Sequence, residues 1–301
     1  MLQIKVNRAE KLFKKAAENV SKEFVNFDEL PIFSYWCKFY GENPDERNED
    51  IRLIDSAVYN HLESKSMLNK LLIKHNIQGV FPATYNHVAD AMNHGKDVNI
   101  WFVKPAHLSG GRGIQVLSND LLKTFELPKF NIIQEGIENI ALIENRKFTL
   151  RIYALLWNKS LYLFDDGFAL LHGPIYSPGS TDYKVQVEHR GYHNGQGGIE
   201  MKMLSTLPEN KNIMERAAAS MRKLLPVLEE NLQASNPLRY LLLGIDALLL
   251  DNGDLTFIEI NAIPNFLHTP EIDEKVNIPL FEHVMRIIYG LGSDRFLKLF
   301  P

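Results

Sequence analysis

Apolar residues follow helical spacing towards both ends of the chain and strand-like runs in the middle. The helical spacing predicts helices over residues 9–20, 66–75, a short stretch near 88, 213–232 and 280–291. Extended apolar runs predict strands over residues 99–103, 114–117, 131–135, 147–157 and 161–164. Pro226 lies inside the long 213–232 helix, so we expect that helix to bend or to divide in two.

Two turn sequences organise the strands. The Asp-Asp-Gly sequence at 165–167 and the Asp-Asn-Gly-Asp sequence at 251–254 carry the residues that tight hairpins favour. Hairpin turns are thus more frequent than strand–helix–strand repeats. This predicts an α+β fold in which mainly antiparallel sheets carry helices.

The segments outside the strands give weaker indications of chemistry. We expect the basic, amphipathic helix over 9–20 to pack on the body of the protein rather than on a membrane. The polar stretch 41–50 is expected to form a loop, and the glycine-rich stretch 191–198 either a plain connector or a lid over a substrate. Four aromatic residues before the polar loop are expected in the core or at a domain interface: Tyr35, Trp36, Phe39 and Tyr40.

Composition narrows the class of protein. The chain has 301 residues, of which 45% are hydrophobic and 23% charged, and this is typical of a globular protein with two or three modules. A net charge of -4 provides no footprint for nucleic acid, so any bound anion should lie in a local basic site. No apolar run is long enough to span a membrane. The single cysteine, Cys37, excludes an intrachain disulfide framework, and we expect a cytoplasmic protein.

The hairpin around 251–254 predicts a cluster of oxygen ligands. If Asn252 and Gly253 form a two-residue loop, Asp246 faces Glu259 and Gly244 faces Asn261. The side chains of Asp246, Glu259 and Asn261 then lie on one face of an otherwise apolar hairpin. Such a set suits magnesium bridged to phosphates. The alternative is an acidic pair that a nearby Lys or Arg neutralises.

Cations and glycines upstream predict an anion site. A buried strand ends at Lys104 and is followed by a glycine-rich turn with Gly110, Gly111 and Gly113, whose backbone amides suit phosphate oxygens. This is not a P-loop, because the Gly-Lys-Ser/Thr ending is missing. The strand from 147 presents Lys147, Thr149 and Arg151 on one face, which forms either a solvated surface or the far wall of an anion-binding cleft.

These motifs, in this order, resemble the tubulin tyrosine ligase-like family of the ATP-grasp superfamily over about residues 64–266. The resemblance is carried by the segments 64–68 and 81–85, the phosphate loop 102–114, the adenine strand 131–135, the central strand 147–153 and the metal hairpin 244–264. It implies an ATP-grasp fold with a nucleotide cleft between two mainly antiparallel sheet-plus-helix modules. The expected boundaries are 1–62 for a smaller N-terminal module, 63–135 for a central one and 136–301 for the C-terminal one.

The resemblance also implies roles for single residues. Phosphate contacts are expected from Lys65, Lys104, Gly110, Gly111 and Gly113, and adenine contacts from Gln134 and Glu135. Lys147 is implied beside the nucleotide and Arg151 near the γ-phosphate and the substrate carboxylate, both as catalytic residues, with Asp246, Glu259 and Asn261 on Mg²⁺. The implied activity is an ATP-dependent carboxylate–amine ligase. It adds an amino acid to a protein, peptide or small-molecule acceptor through an acyl phosphate.

The sequence departs from the family pattern on the acceptor side. Thr149 stands where the family has Asp, and of a His-Leu-Thr-Asn stretch only His189 remains, followed by Arg190. Leu170 stands where the family has Arg, and the alternative anion contact in place of that arginine is His172 or Arg190. ATP is therefore the better-supported ligand, and the acceptor stays open. Two alternatives share the nucleotide site: a kinase that phosphorylates a hydroxyl group, and a catalytically silent nucleotide-binding protein. A zinc site at His189 and His193 lacks a third ligand at helical spacing.

Overall fold

A computed structural model describes residues 2–24, 29–43, 45–95, 97–108, 110–187 and 196–301. The strands are β1 (Ile4–Val6), β2 (Phe33–Tyr35), β3 (Arg52–Leu53), β4 (Thr84–Tyr85), β5 (Ile100–Pro105), β6 (Gln115–Ser118), β7 (Asn131–Glu135), β8 (Arg146–Trp157), β9 (Ser160–Ile175), β10 (Glu200–Met203), β11 (Arg239–Leu249), β12 (Leu255–Asn261) and β13 (Phe296–Phe300). The predictions for His189, Arg190, His193 and most of the 191–198 stretch fall outside the described residues.

Helices surround these strands. They are α1 (Glu10–Ser21), α2 (Ser56–Glu63), α3 (Lys65–Lys74), α4 (Val88–His94), α5 (Asn119–Lys123), α6 (Tyr183–Gln186), α7 (Asn210–Lys223), α8 (Leu225–Ala234), α9 (Pro270–Ile272) and α10 (Ile278–Ile288). A single π-helical turn, Asp273–Asn277, joins α9 to α10. Among the described residues, no helix combines the length and the apolar character needed to cross a bilayer.

Two sheets carry most of the strands. The larger is seven-stranded and runs β10–β9–β8–β11–β12, with β13 also paired to β9 and β3 to β11. The smaller is four-stranded and runs β4–β7–β5–β6. Every pair within these sheets is antiparallel except β3 with β11, and β1 and β2 form a separate parallel pair. The expected mixed α+β fold with mainly antiparallel sheets is confirmed.

Helices cover both faces of the larger sheet. Phe148, Leu150 and Ile152 of β8 pack in one apolar cluster with residues of α7 and α8. On the opposite face of β8, Tyr153 and Leu155 pack in a second cluster with residues of α1 and α10. At residues 147–151 that second face borders a cavity instead.

The predicted helices are present, with small shifts at their ends. The amphipathic helix α1 packs on the body, and its Phe13 ring stacks on Phe281 of α10 with 3.8 Å between ring centroids. The helix predicted over 213–232 is divided, because α7 ends at Lys223 and α8 begins at Leu225. Pro226 lies in the first turn of α8, where its missing N–H breaks no helical hydrogen bond.

The turn predicted at 165–167 is wrong, because these residues lie inside β9. The chain reverses earlier, at Asn158 and Lys159, whose φ angles of 47° and 62° fit a type I′ turn. Gly167 is needed for close approach instead: a Cβ there would lie 2.1 Å from the backbone oxygen of Arg151. Asp166 accepts a hydrogen bond from the Ser205 backbone N–H at 3.0 Å rather than shaping a turn.

The hairpin at 251–254 has a different loop but the predicted pairing at its far end. The Leu250 N–H bonds the Asp254 carbonyl at 2.8 Å, which encloses three loop residues rather than two. This shifts the pairing by one residue near the turn, so that Leu249 faces Leu255. A bulge in β12 after Asp246 absorbs the shift, and from there on Asp246 faces Glu259 and Gly244 faces Asn261.

We expect Gly167→Ala to destabilise the protein strongly, because the new methyl group must push β9 away from β8. The expected loss in the free energy of unfolding is about 3 kcal/mol. Gly290→Ala is the matched control, since a Cβ there meets nothing within 4 Å and only the positive φ opposes it, at about 1 kcal/mol. Urea unfolding of both variants measures the difference. Equal losses would contradict the close-approach role of Gly167.

Candidate active site

A cavity of about 510 Å³ lies between the two sheets. Its walls come from β5 and β7 of the smaller sheet and from β8, β9, β11 and β12 of the larger one. Most of the predicted site residues line it: Lys104, Gly110, Gly111, Gln134, Glu135, Lys147, Arg151, Asp246, Glu259 and Asn261. Of the other two, Lys65 borders the cavity through an ion pair with Glu259, whereas Gly113 packs on Pro105 and does not line the cavity.

Two buried lysines flank one aromatic ring in this cavity. The Nζ atoms of Lys104 and Lys147 lie 5.2 Å and 5.3 Å from the centroid of the Phe102 ring. Lys104 donates to Gln134 Oε1 at 2.5 Å, and Lys147 donates to both the backbone and the side-chain oxygen of Gln186 at 3.0 Å. These neutral acceptors orient the ammonium groups without cancelling their charge.

Burial disfavours the charge on both lysines. Desolvation, together with the neighbouring charge of Lys65, lowers the pKa of Lys104 to about 8. Desolvation and the charge of Lys104 lower the pKa of Lys147 to about 7. Within the described part of the chain, no carboxylate forms an ion pair with either group. A cavity that holds two desolvated cations in this way favours an anionic ligand.

The acidic cluster is already neutralised by cations, as the alternative interpretation of the sequence anticipated. Arg151 binds Asp246 with two hydrogen bonds, Nε to Oδ1 at 2.6 Å and Nη2 to Oδ2 at 3.3 Å. Lys65 Nζ lies 3.3 Å from Glu259 Oε2. Asn261 Nδ2 is 3.5 Å from Asp246 Oδ2, so the three predicted oxygen ligands lie over one small area.

The chemistry of this donor set fits magnesium. Two carboxylates and one amide oxygen are hard ligands, and Mg²⁺ usually takes one or two carboxylates together with phosphate oxygens. No group of three or more His, Cys, Asp or Glu side chains suited to a metal occurs among the described residues. Asn261 contributes an amide rather than a third carboxylate to the cluster, so a metal held there would need further oxygen ligands from a substrate or from water.

Asp246 holds two of the three guanidinium nitrogens of Arg151. Its Nη1 atom is buried and has no hydrogen-bond partner, although Nε and Nη2 are held by Asp246. Burial opposes the charge of the guanidinium, but the carboxylate of Asp246 raises the pKa of Arg151 above its ordinary value. Arg151 thus stays cationic beside the cavity, with one buried N–H group next to Gly244 left unsatisfied.

The predicted adenine residues are engaged with their own sheet. Gln134 donates to Thr84 Oγ1 at 3.2 Å, and Glu135 accepts a hydrogen bond from the Tyr85 hydroxyl at 2.8 Å. Just beyond them, three apolar side chains pack together and line the cavity: Ile137, Leu248 and Ile258. These side chains offer an apolar surface for a planar ring, and the bulge in β12 is what lets Ile258 and Glu259, adjacent in sequence, both line the cavity.

Three functional candidates were not predicted from the sequence. Phe102 was only part of a buried strand, Gln186 carried no sequence signal, and Arg8 was only one of several basic residues near the N-terminus. The aromatic prediction was wrong in part: Tyr35 is fully buried, whereas Phe39 is 88% and Tyr40 59% exposed. Tyr40 and Arg8 both line the cavity.

Comparison with known proteins agrees with the motifs. A model of the tubulin-tyrosine ligase family matches residues 55–193. The matched range includes Lys65, Lys104 and Arg151 but ends before the hairpin of Asp246 and Glu259. The family resemblance that the sequence motifs indicate is confirmed.

Curated relatives match over longer parts of the chain. Tubulin glycylase 3D of Tetrahymena thermophila is 28% identical over 236 residues, which are 68% of this chain and 22% of that protein. The probable alpha-tubulin polyglutamylase Ttll1 of the same organism is 23% identical over 62% of this chain and 54% of its own length. Tubulin polyglutamylase TTLL5 of Mus musculus is 29% identical over 36% of this chain and 8% of its own length. This chain therefore spans between about a tenth and a half of these relatives.

We expect Lys147→Met to stabilise the protein at neutral pH, by an amount that shrinks as pH rises. Below pH 7 the wild-type protein bears the full cost of a buried charged Lys147; between pH 7 and 10 the unfolded chain keeps that proton while the folded protein has lost it. The free energy of unfolding of the wild type therefore rises relative to that of the variant, by at most about 1.4 kcal/mol per pH unit. Urea unfolding at several pH values measures this gap.

The control is Lys298→Met, which removes an exposed lysine from β13. Its difference from the wild type should not change with pH over the same range. A Lys147→Met gap that widens from pH 7 to pH 10 would contradict the assigned desolvation of Lys147.

Proposed function

Because the chain resembles the tubulin-tyrosine ligase family and carries that family's motifs in order, we propose that it is an ATP-dependent ligase. It forms an amide bond between a carboxylate and an amine, and so adds an amino acid to a protein, peptide or small-molecule acceptor. The observation that carries the proposal is that two buried, carboxylate-free lysines and an oxygen-rich acidic cluster line one cavity.

The nucleotide lies along the face that Lys104 and Lys147 share. Its phosphates offset the cost of keeping both ammonium groups out of water, and in return raise the lysine pKa values towards their ordinary range. The positive φ angles of Gly110 and Gly111, 67° and 71°, let the backbone beside the cavity approach phosphate oxygens closely. The adenine ring packs against the apolar surface around Ile137.

When Mg²⁺ is bound, Asp246, Glu259 and Asn261 hold it, and it supplies positive charge that offsets the charge of the phosphates. Lys65 and Arg151 hold the two carboxylates in place before any ligand arrives. Because the cations already balance the acids, the cluster does not force the hairpin apart when the nucleotide is absent.

The proposed reaction has two steps. A carboxylate oxygen of one substrate attacks the γ-phosphorus of ATP, the bond to ADP breaks, and an acyl phosphate forms. The amine of the second substrate then attacks the acyl carbon, phosphate leaves with the C–O bonding pair, and the amine loses a proton to solvent. The positive charge of Arg151, which lines the cavity, stabilises the oxygens on which negative charge accumulates. No covalent protein nucleophile is required.

Glutamine in place of Glu259 tests the proposal. The measurement is ADP release from ATP and Mg²⁺ with each of the twenty amino acids, using peptide acceptors, tubulin and cell lysate in turn. We expect Glu259→Gln to lower turnover at least a hundredfold, since it removes a charged ligand and takes from Lys65 its carboxylate partner. Mass spectrometry of the acceptor identifies an added amino acid.

The matched control is Glu271→Gln, the same chemical change at an exposed ion pair with Lys275. It should release ADP at the wild-type rate. Full activity in Glu259→Gln would contradict the magnesium assignment. A phosphorylated acceptor without an amide would identify a kinase, and nucleotide binding without ADP release under every condition would identify a catalytically silent protein.

A further inference from the structure

The cavity floor changes from charged to apolar across the larger sheet. One row of cross-strand partners runs Glu259, Asp246, Arg151 and then Phe168. In the neighbouring row Thr149 of β8 faces Leu170 of β9, and Leu170 in turn faces Met201 of β10. Thr149 and Leu170, two positions that depart from the family pattern, are therefore direct neighbours. Beyond Arg151, Phe168, Leu170 and Met201 line the cavity, and so does His172, which follows Leu170 on the same face of β9.

The segment that follows β12 closes this apolar part. His268 meets the Phe168 ring edge-on, with 4.6 Å between ring centroids. Desolvation and the nearby charge of Arg151 lower the pKa of His268 to about 3, so the imidazole is neutral at physiological pH. Asn277 fixes its orientation through a 2.8 Å contact to Nδ1. The wall opposite the floor is thus uncharged as well.

Arg8 is a cation that contacts the segment following β12. Arg8, from the turn before α1, reaches Asn265 Oδ1 at 3.3 Å and the Ile263 carbonyl at 3.4 Å, and its guanidinium lies 5.1 Å from the centroid of the Tyr40 ring. These are long contacts to neutral groups. No carboxylate among the described residues forms an ion pair with Arg8. Unlike Arg151, it enters the cavity with its charge unbalanced.

The proposed reaction needs such a second cation. The amino acid that supplies the amine has a carboxylate of its own, which must be kept away from the γ-phosphate or it would be activated in place of the acceptor. Lys104, Lys147 and Arg151 serve the phosphates. Only a cation elsewhere in the cavity can hold the spare carboxylate while the amine faces the acyl carbon.

We propose that Arg8, Asn265, Phe168, Leu170, Met201 and His268 form the amino-acid subsite, and that it takes an α-amino acid with an uncharged, apolar side chain. Arg8 binds the α-carboxylate, with Asn265 beside it, and the apolar floor accepts the side chain. An acidic side chain is rejected, because Phe168, Leu170 and Met201 give it no charged or polar partner to replace the water it would lose. This inference rests on the proposed ligase function.

The test is calorimetric titration of amino acids into the protein loaded with Mg²⁺ and a non-hydrolysable ATP analogue. We expect L-leucine to bind at least tenfold more tightly than L-glutamate. Leucinamide, which lacks the carboxylate, should bind about tenfold to a hundredfold more weakly than L-leucine, as expected for a lost charged hydrogen bond.

Three variants separate the contribution of Arg8 from that of the apolar floor. Arg8→Gln should lower the affinity for L-leucine to that of the wild type for leucinamide, while its own affinity for leucinamide stays within twofold of the wild type. Arg8→Lys should lower the affinity for L-leucine less, because it keeps the positive charge. Leu170→Arg should reverse the preference in favour of L-glutamate. None of the three should change the affinity for the ATP analogue by more than about twofold, which also shows that the variants fold.

Three results would overturn the subsite: L-glutamate binding as tightly as L-leucine, Arg8→Gln weakening L-leucine and leucinamide equally, or no amino acid binding to the nucleotide-loaded protein. Titration of the ATP analogue into the wild type comes first. Failure at that step refutes the proposed ligase function, and the subsite with it. Intact nucleotide binding with any of the three results above refutes the subsite alone.

Discussion

The removal of cations from water is the constraint on which the rest of the site depends. Lys104 and Lys147 are both buried beside Phe102, and Arg151 is half-buried against Asp246. An isolated buried charge is too costly to keep, and a protein relieves that cost with a counter-ion, a hydrogen bond or a shifted pKa. All three appear here. Arg151 has a carboxylate, both lysines have amide or carbonyl oxygens, and the lysine pKa values fall. The fold gives the two lysines hydrogen-bond acceptors but no carboxylate partner among the described residues, and a polyphosphate would supply the negative charge that balances them.

The fold creates this constraint by changing the environment of one strand face. The same side of β8 carries Tyr153 and Leu155 under α1 and α10, then Arg151, Thr149 and Lys147 beside the cavity. The covered half anchors the strand rigidly in the larger core. The uncovered half therefore presents its cations at fixed positions, as a catalytic site requires. The opposite wall, β5 and β7, belongs to a different sheet, so movement between the sheets would alter the width of the cavity while each wall keeps its own shape.

Local sequence was sufficient for the elements and for the charged side of the site. Alternation along β8 placed Lys147 and Arg151 on one face, and the hairpin pairing placed Asp246 opposite Glu259. The pairing of Asp246 with Glu259, however, arises in a way that was not predicted. The loop holds one residue more than predicted, and the bulge at Ile258 restores the pairing. Bulges depend on how a strand must bend to pack against its surroundings, so no short-range rule foresees them. The prediction of a turn at the Asp-Asp-Gly sequence was wrong for a related reason. Glycine is required at position 167 by its close approach to the β8 backbone across the sheet, not by its neighbours in sequence.

The acceptor side could not be predicted, because its residues are separated in sequence and carry no shared pattern. Arg8 reaches residues 263 and 265 across more than 250 positions of chain. Leu170 and Thr149 looked like separate departures from a family motif, but in the sheet they face each other, so their combined effect on the cavity is larger than either suggests. A lost aspartate beside a lost arginine removes a pair of opposite charges together. Thr149 and Leu170 themselves add no charge to the cavity at that point, so any discrimination by this pair between ligands depends on shape and on apolar contact rather than on ion pairing.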